Sequence, residues 1–192
     1  MRKLKLQMQL TVNGFVAGPN GELDWMLWEW DDELKKYVGE LTDSIDTIIL
    51  GRKMTDGFVN HWTTVANNPD DPEYASGKKF VDTPKVVITK TLTESKWENT
   101  TLVTGNLKDE ISKLKKQKGK DIIVYGGAGT VSNLMKENLI DEYYLFVNPV
   151  AIKKGMTIFS DIKNEFRLNL VEAKQFDCGI VLLHYRPAER GK

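Results

Sequence analysis

Residues 122–130, Ile-Ile-Val-Tyr-Gly-Gly-Ala-Gly-Thr, place glycines at the end of an apolar segment. The pattern predicts a short strand that runs into a tight turn, after which residues 131–136 continue as a helix. The first turn of a helix presents free backbone N–H groups and the positive end of the helix dipole. Gly126 and Gly127 let a ligand approach the backbone closely, and Thr130 adds a hydroxyl. The spacing suits a phosphate, although glycines also serve simply to turn a corner between strand and helix.

A second segment with the same arrangement stands at residues 47–55, Thr-Ile-Ile-Leu-Gly-Arg-Lys-Met-Thr. Arg52 and Lys53 follow Gly51 in the predicted first helical turn, where the helix dipole disfavours positive charge. A bound phosphate would offset that cost, whereas a solvated pair of cations would carry no function. The two segments together favour a protein that binds a phosphate-bearing cofactor.

The composition is that of a globular chain with no global charge. The 192 residues are 41% apolar, and Lys plus Arg balance Asp plus Glu at 27 each. This balance gives no field that would attract nucleic acid or an anionic membrane, and no apolar run approaches the length of a membrane span. A strand pattern follows Met1 directly, without the apolar core of a signal peptide. We expect one cytoplasmic domain over residues 1–192.

Several catalytic machineries lack the residues they need. His61 and His184 are the only histidines, and no His, Cys or Asp spacing suits a metal ion, so we expect no metal site. Cys178 is the single cysteine, which excludes an intramolecular disulfide, and it has no nearby histidine to activate it. Neither G-x-S-x-G nor G-x-x-x-x-G-K-[ST] occurs. Hydrolysis by a triad, a metal or a P-loop is therefore disfavoured, while binding of a phosphate-bearing cofactor stays open.

Hydrophobic periodicity predicts an open mixed sheet, covered by helices on both faces and ending in an antiparallel hairpin. The clearest strand is residues 4–12, whose polar face we expect to meet a pocket, a subunit interface or water. Further strands are predicted at 47–50, 85–89, 101–103 and 143–147, and the hairpin pairs 166–171 with 180–185. Helices are predicted near 32–42, from 52 onward, at 74–81 and after an Asn106 cap, whose late lysines the helix dipole explains.

An aromatic segment separates the first strand from the first helix. Three tryptophans and Asp24 fall within residues 23–30, after an Asn13-Gly14 pair that indicates a hairpin or a long mobile loop beside a ligand. Tryptophans are most often core or interface residues, but they also stack on flat heterocycles. The segment is therefore a candidate for the substrate side of a site.

The sequence resembles the dihydrofolate reductase-like superfamily and, within it, the riboflavin-biosynthesis reductase family (RibD C-terminal domain). The resemblance covers nearly the whole chain through five segments in order, residues 10–25, 49–55, 87–91, 124–130 and 139–143. It implies an α/β fold of three layers with a mixed, mostly parallel sheet. It also implies NADPH lying across the carboxyl ends of the strands, a hydride passed to a flat heterocycle or its phosphoribosyl derivative, and a homodimer.

The same resemblance assigns roles to individual residues. The 2′-phosphate side of NADPH would meet Gly51, Arg52, Lys53, Thr89 and Lys90. The pyrophosphate would lie on Gly126, Gly127, Ala128, Gly129 and Thr130, and the nicotinamide against Val12, Asn13 and Ala17. The substrate side would comprise Asn13, Asp24 and Trp25, and the proton would be delivered or oriented by Asp24 or Asp32.

The reaction we expect is reduction of the ribosyl group of 5-amino-6-(5-phosphoribosylamino)uracil in riboflavin biosynthesis. One alternative is a dihydrofolate reductase-like enzyme that acts on another pteridine or on a carbonyl compound. Another is a nucleotide-binding module without turnover, which would bind NADPH and leave it unchanged.

Overall fold

The computed structural model of the protein describes residues 1–162 and 165–188, and within them the chain forms eight strands and five helices. Their order is β1 (Leu4–Thr11), α1 (Asp32–Asp43), β2 (Ile45–Gly51), α2 (Arg52–Ala66), α3 (Tyr74–Asp82), β3 (Lys85–Ile88), β4 (Thr100–Val103), α4 (Leu107–Lys116), β5 (Asp121–Gly126), α5 (Ala128–Lys136), β6 (Glu142–Asn148), β7 (Leu168–Gln175) and β8 (Val181–Pro187).

All eight strands join one sheet in the order β4-β3-β2-β5-β1-β6-β8-β7. The strands from β4 to β6 run parallel, with β1 between β5 and β6. Strand β8 pairs antiparallel with β6, and β7 pairs antiparallel with β8. The predicted mixed, mostly parallel sheet with a C-terminal antiparallel hairpin is confirmed.

Helices cover both faces of the sheet, each over its own hydrophobic core. On one face, Leu6 and Val124 pack with residues of α4 and α5 such as Ile111 and Leu134. On the other face, the side chains of Ile48 and Phe146 pack with residues of α1, α2 and α3. The expected three-layer arrangement is confirmed, and burial of the central strands on both faces is typical of parallel sheets.

The neighbouring strands β2 and β5 are followed by helices on opposite faces. Helix α2 packs on one side of the sheet and α5 on the other, so the backbone segments that follow β2 and β5 diverge at the carboxyl ends of these strands. In open α/β sheets such a divergence leaves a crevice, and ligands bind there preferentially. The topology thus places both glycine turns at the point where a ligand is most expected.

Two details differ from the sequence-based expectations. Gln7 and Thr11 are buried, so this part of the polar face of β1 does not face bulk solvent. The strand predicted at 166–171 instead occupies Leu168–Gln175, because pairing with β8 continues up to the turn around Gly179. Among the residues that the structure describes, no helix is long and apolar enough to cross a membrane.

Candidate functional site

The two glycine turns lie side by side at the carboxyl edge of the sheet. Leu50 pairs in register with Gly126, which brings the residues that follow into contact. A Cβ atom on Gly51 would lie 2.5 Å from Thr130 Oγ1 and 2.8 Å from the backbone nitrogen of Gly127. Glycine is therefore required at position 51, since any side chain would push the two turns apart.

Helices α2 and α5 both begin without a side-chain cap. Their N-cap residues are Gly51 and Gly127, whereas the carboxylate of Asp31 caps α1 and the amide oxygen of Asn106 caps α4. The space outside the α5 turn is open, because a Cβ atom on Gly127 or Gly129 would meet nothing within 4 Å. Free N–H groups beside open space fit a phosphate.

A cavity of about 340 Å³ opens beside this turn, between α4, α5 and the ends of β3 and β4. Three of the predicted cofactor residues, Thr89, Lys90 and Thr130, line it. Its polar lining also includes residues that the sequence did not assign to a site: Asn106, Lys108, Asn133, Lys136 and Glu137. Lys108 and Lys136 stand near the ends of two sequence-distant helices, so only the fold brings them together.

Arg52 and Lys53 are exposed at the start of α2, and neither lines the cavity. The Arg52 charge acts on Asp56, whose pKa is lowered mainly by hydrogen bonds from Lys96 and Trp97 and less by Arg52. The contact of Arg52 and Lys53 with a phosphate therefore stays a prediction. Lys90, in contrast, lines a cavity that could hold one.

The residues assigned to the nicotinamide lie in the loop after β1, which is fastened to the segment after β6. The N–H of the exposed Val12 donates to the Val150 carbonyl, and Ala17 forms a bridge with Met156. The Asn13 amide accepts from Thr11 Oγ1 at 2.9 Å and donates to the Ile152 carbonyl at 2.8 Å. Asn13 is thus already engaged in holding the loop in place.

The two candidate proton donors are both exposed. Asp24 and Asp32 form no side-chain hydrogen bond or ion pair within residues 1–162 and 165–188. Asp31, which we did not predict, is the acid that the fold uses: it accepts the N–H groups of Leu34 and Cys178, and these bonds lower its pKa. An acid directly before an amphipathic helix is a recognisable N-cap signal.

Trp25, assigned to the substrate side, belongs to a segment that covers the ends of β1 and β6. The segment is anchored where the Leu27 N–H donates to Asn148 Oδ1 at 3.0 Å. Asn148 is fully buried and its amide donates to Gln9 Oε1 at 2.7 Å. The strand predicted at 143–147 ends just before Asn148, so the role of Asn148 in joining loop and sheet was missed.

Comparison with known proteins agrees with this architecture. A family model described as the RibD C-terminal domain matches residues 2–182. The uncharacterized protein YyaP of Bacillus subtilis (strain 168) is 32% identical over 185 residues, covering 96% of this chain and 94% of that protein.

Two solved structures share the fold at low identity. One is a diaminohydroxyphosphoribosylaminopyrimidine deaminase/5-amino-6-(5-phosphoribosylamino)uracil reductase of Thermotoga maritima, with a TM-score of 0.69 and 17% identity; the match covers 97% of this chain and 57% of that one. The other is the dihydrofolate reductase of Enterococcus faecalis complexed with NADP(H), with a TM-score of 0.59, 15% identity and 97% coverage of both chains. The chain belongs to the RibD C-terminal domain family.

Proposed function

We propose that this protein is an NADPH-dependent reductase. The observation that carries the proposal is the uncapped, glycine-lined start of α5 beside a cavity whose wall holds Lys90, Lys108 and Lys136. The free N–H groups of the turn suit the pyrophosphate of a dinucleotide, and the three lysines suit the additional phosphate that distinguishes NADPH from NADH.

NADPH would supply the hydride, and the chain would supply binding, alignment and exclusion of water. The loop after β1, fastened through Asn13 to Ile152, would support the nicotinamide. Trp25 would cover the substrate, with Asn148 holding the aromatic segment against the sheet. Asp24 or Asp32 would deliver or orient the proton, directly or through water.

The substrate we propose is 5-amino-6-(5-phosphoribosylamino)uracil, because the Thermotoga maritima protein that shares the fold is named as its reductase. That protein also carries a deaminase name, and the match covers little more than half of it. A different pteridine or a carbonyl compound is the second candidate, since the described part of the site contains no feature that demands a ribosyl phosphate. Oxidation of NADPH with each compound distinguishes the two.

The first experiment is a fluorescence titration of NADPH and NADH at fixed salt. We expect Lys90→Ala to weaken NADPH binding about tenfold and NADH binding little, because a charge-assisted phosphate contact contributes about 1.5–3 kcal/mol. Lys118→Ala is the matched control, since Lys118 is an exposed lysine beyond the end of α4, away from the cavity. Arg52→Ala tests whether α2 contributes to the same phosphate. If neither nucleotide binds the wild type, the proposal is wrong.

A further inference from the structure

Two buried side-chain atoms on β1, Gln7 Oε1 and Gln9 Nε2, have no hydrogen-bond partner among the described residues, and neither does Trp25 Nε1 in the segment that follows β1. Gln7 and Gln9 are two residues apart on β1, so their side chains project from the same face of the sheet. Gln7 is only 9% exposed. An unpaired buried donor or acceptor costs free energy, so a set of them on one face indicates a ligand or ordered water.

The orientation of the Gln9 amide follows from its neighbours. The Leu27 N–H can only donate, so the atom of Asn148 that it meets is the oxygen. The carbonyls of Phe146 and Leu10 can only accept, so they fix the amide nitrogen of Asn148 in the same orientation without Leu27, and this nitrogen donates to Gln9. The atom of Gln9 that accepts this bond is therefore its oxygen, which leaves the Gln9 nitrogen as a donor without a partner.

The free atoms form a mixed set. Gln9 Nε2 and Trp25 Nε1 donate, whereas Gln7 Oε1 accepts. A ligand that satisfies the two glutamines needs a carbonyl oxygen next to an N–H group, which is the edge of a lactam. The sheet provides a flat base beside the two glutamines, and the segment that carries Trp25 is tied to it at Asn148, the residue that contacts Gln9. Among the described hydrogen bonds, that from Leu27 to Asn148 alone ties residues 19–30 to the sheet, so displacing the segment to admit a ligand breaks few bonds.

We propose that Gln7 and Gln9, with Asn148 fixing the Gln9 amide, recognise the lactam edge of a flat heterocyclic substrate. This inference rests on the proposed reductase function and deepens it by naming the residues that select the substrate. Gln7 and Gln9 are specificity determinants here, and the hydride chemistry does not pass through them. A site built to hydrogen-bond a ligand group discriminates strongly against analogues that lack it.

The test compares two probes, lumazine and 1,3-dimethyllumazine, which differ in whether the lactam nitrogens carry hydrogen. Both are titrated into the free protein and into protein saturated with NADP⁺, for the wild type, Gln7→Met and the control Gln175→Met. Gln175 is exposed on β7, far along the sheet from β1. We expect the wild type and Gln175→Met to prefer lumazine by about tenfold or more, and Gln7→Met to reduce the preference below about threefold.

Thermal unfolding separates this role from a structural one. Since the Gln7 oxygen is unpaired in the described fold, Gln7→Met should leave the melting temperature unchanged or raise it. A lower melting temperature with unchanged preference for lumazine would show that Gln7 only supports the fold. Equal binding of both probes by the wild type, or no binding of either, would show that ordered water alone serves these atoms and would overturn the inference. NADPH titration of the same samples reports separately on the proposed function.

Discussion

The two edges of the sheet treat their positive charges in opposite ways. At the amino edge, Arg2, Lys5 and Lys115 are buried, and each is paired with an acid. Arg2 pairs with Asp46, Lys5 with Asp121 at 3.0 Å, and Lys115 with Asp141 at 2.5 Å. Burial of a cation is costly unless a counter-charge and hydrogen bonds accompany it, so these three cations are neutralised within the fold.

At the carboxyl edge, Lys90, Lys108 and Lys136 are exposed, and none has an acid within 4 Å in the described part of the chain. Lysines in water need no partner, so they contribute little to stability and stay available to an external anion. Cations that are paired with an acid stabilise the fold, whereas unpaired exposed cations are available to bind a ligand.

The largest effect should follow the loss of the Glu142 charge at the amino edge. Glu142 is 3% exposed and accepts hydrogen bonds from Lys3, Tyr144 and Arg186 at 2.7, 2.8 and 3.0 Å. We expect Glu142→Gln to lower the free energy of unfolding by about 3 kcal/mol at neutral pH, measured by urea denaturation. The exposed pair of Lys36 with Glu40 supplies the control, since Glu40→Gln should cost less than about 0.5 kcal/mol.

The same carboxylate should make stability depend on acid pH. Burial raises the pKa of Glu142, but the hydrogen bonds from Lys3 and Tyr144 and the charges of Lys3 and Arg186 outweigh it and lower the pKa to about 2. A depressed folded-state pKa stabilises the fold above the unfolded value of 4.5, and that contribution is lost as pH falls from there towards 2. Glu142→Gln should flatten the stability curve across this window. An unchanged slope would contradict the internal pairing of this edge.

A second, smaller loss is expected from Asp121→Asn. The substitution leaves the Lys5 ammonium, whose side chain is 9% exposed, with the Ser44 hydroxyl as its remaining polar contact. The asparagine oxygen can still accept the Lys3 N–H, so that contact is kept, while an amide nitrogen replaces the charged oxygen that faces Lys5. We expect a loss of about 2 kcal/mol in urea denaturation and unchanged NADPH affinity at low temperature. A fall in NADPH affinity without loss of stability would mean that the amino edge takes part in cofactor binding, and would contradict the comparison of the two edges.

The sequence predicted the glycine turns of the carboxyl edge but not the ion pairs of the amino edge. The turns at Gly51 and Gly126 were found because a strand, glycines and a helix are consecutive in the chain. The amino-edge pairs were not, because their members lie far apart in sequence, 139 residues apart for Lys3 and Glu142. Lys115 was explained by the helix dipole alone, and that explanation was incomplete, because its side chain is buried against Asp141. Local patterns are visible in a sequence, whereas pairing between distant strands depends on the fold.

Two glycines at the carboxyl edge should respond with opposite signs. Gly51→Ala places a Cβ atom 2.5 Å from Thr130 Oγ1 and should destabilise the protein by about 1–2 kcal/mol. Gly129→Ala meets open space in the first turn of α5 and should stabilise by up to about 0.5 kcal/mol, since alanine favours helix. Gly129→Ala should nonetheless weaken NADPH binding, because its methyl group occupies the space offered to the pyrophosphate. Tighter NADPH binding by Gly129→Ala would show that the pyrophosphate does not bind at the α5 turn.

The smallest change in stability should come from Lys90→Met. Lys90 is exposed and, in the described residues, unpaired, so its removal should alter the free energy of unfolding by less than about 0.5 kcal/mol. Its effect should appear instead in the salt dependence of NADPH binding, which should be shallower than in the wild type because one fewer cation contacts phosphate. A loss of stability comparable to that of Asp121→Asn would mean that the carboxyl edge, too, uses its cations for the fold, and the distinction between the two edges would fail.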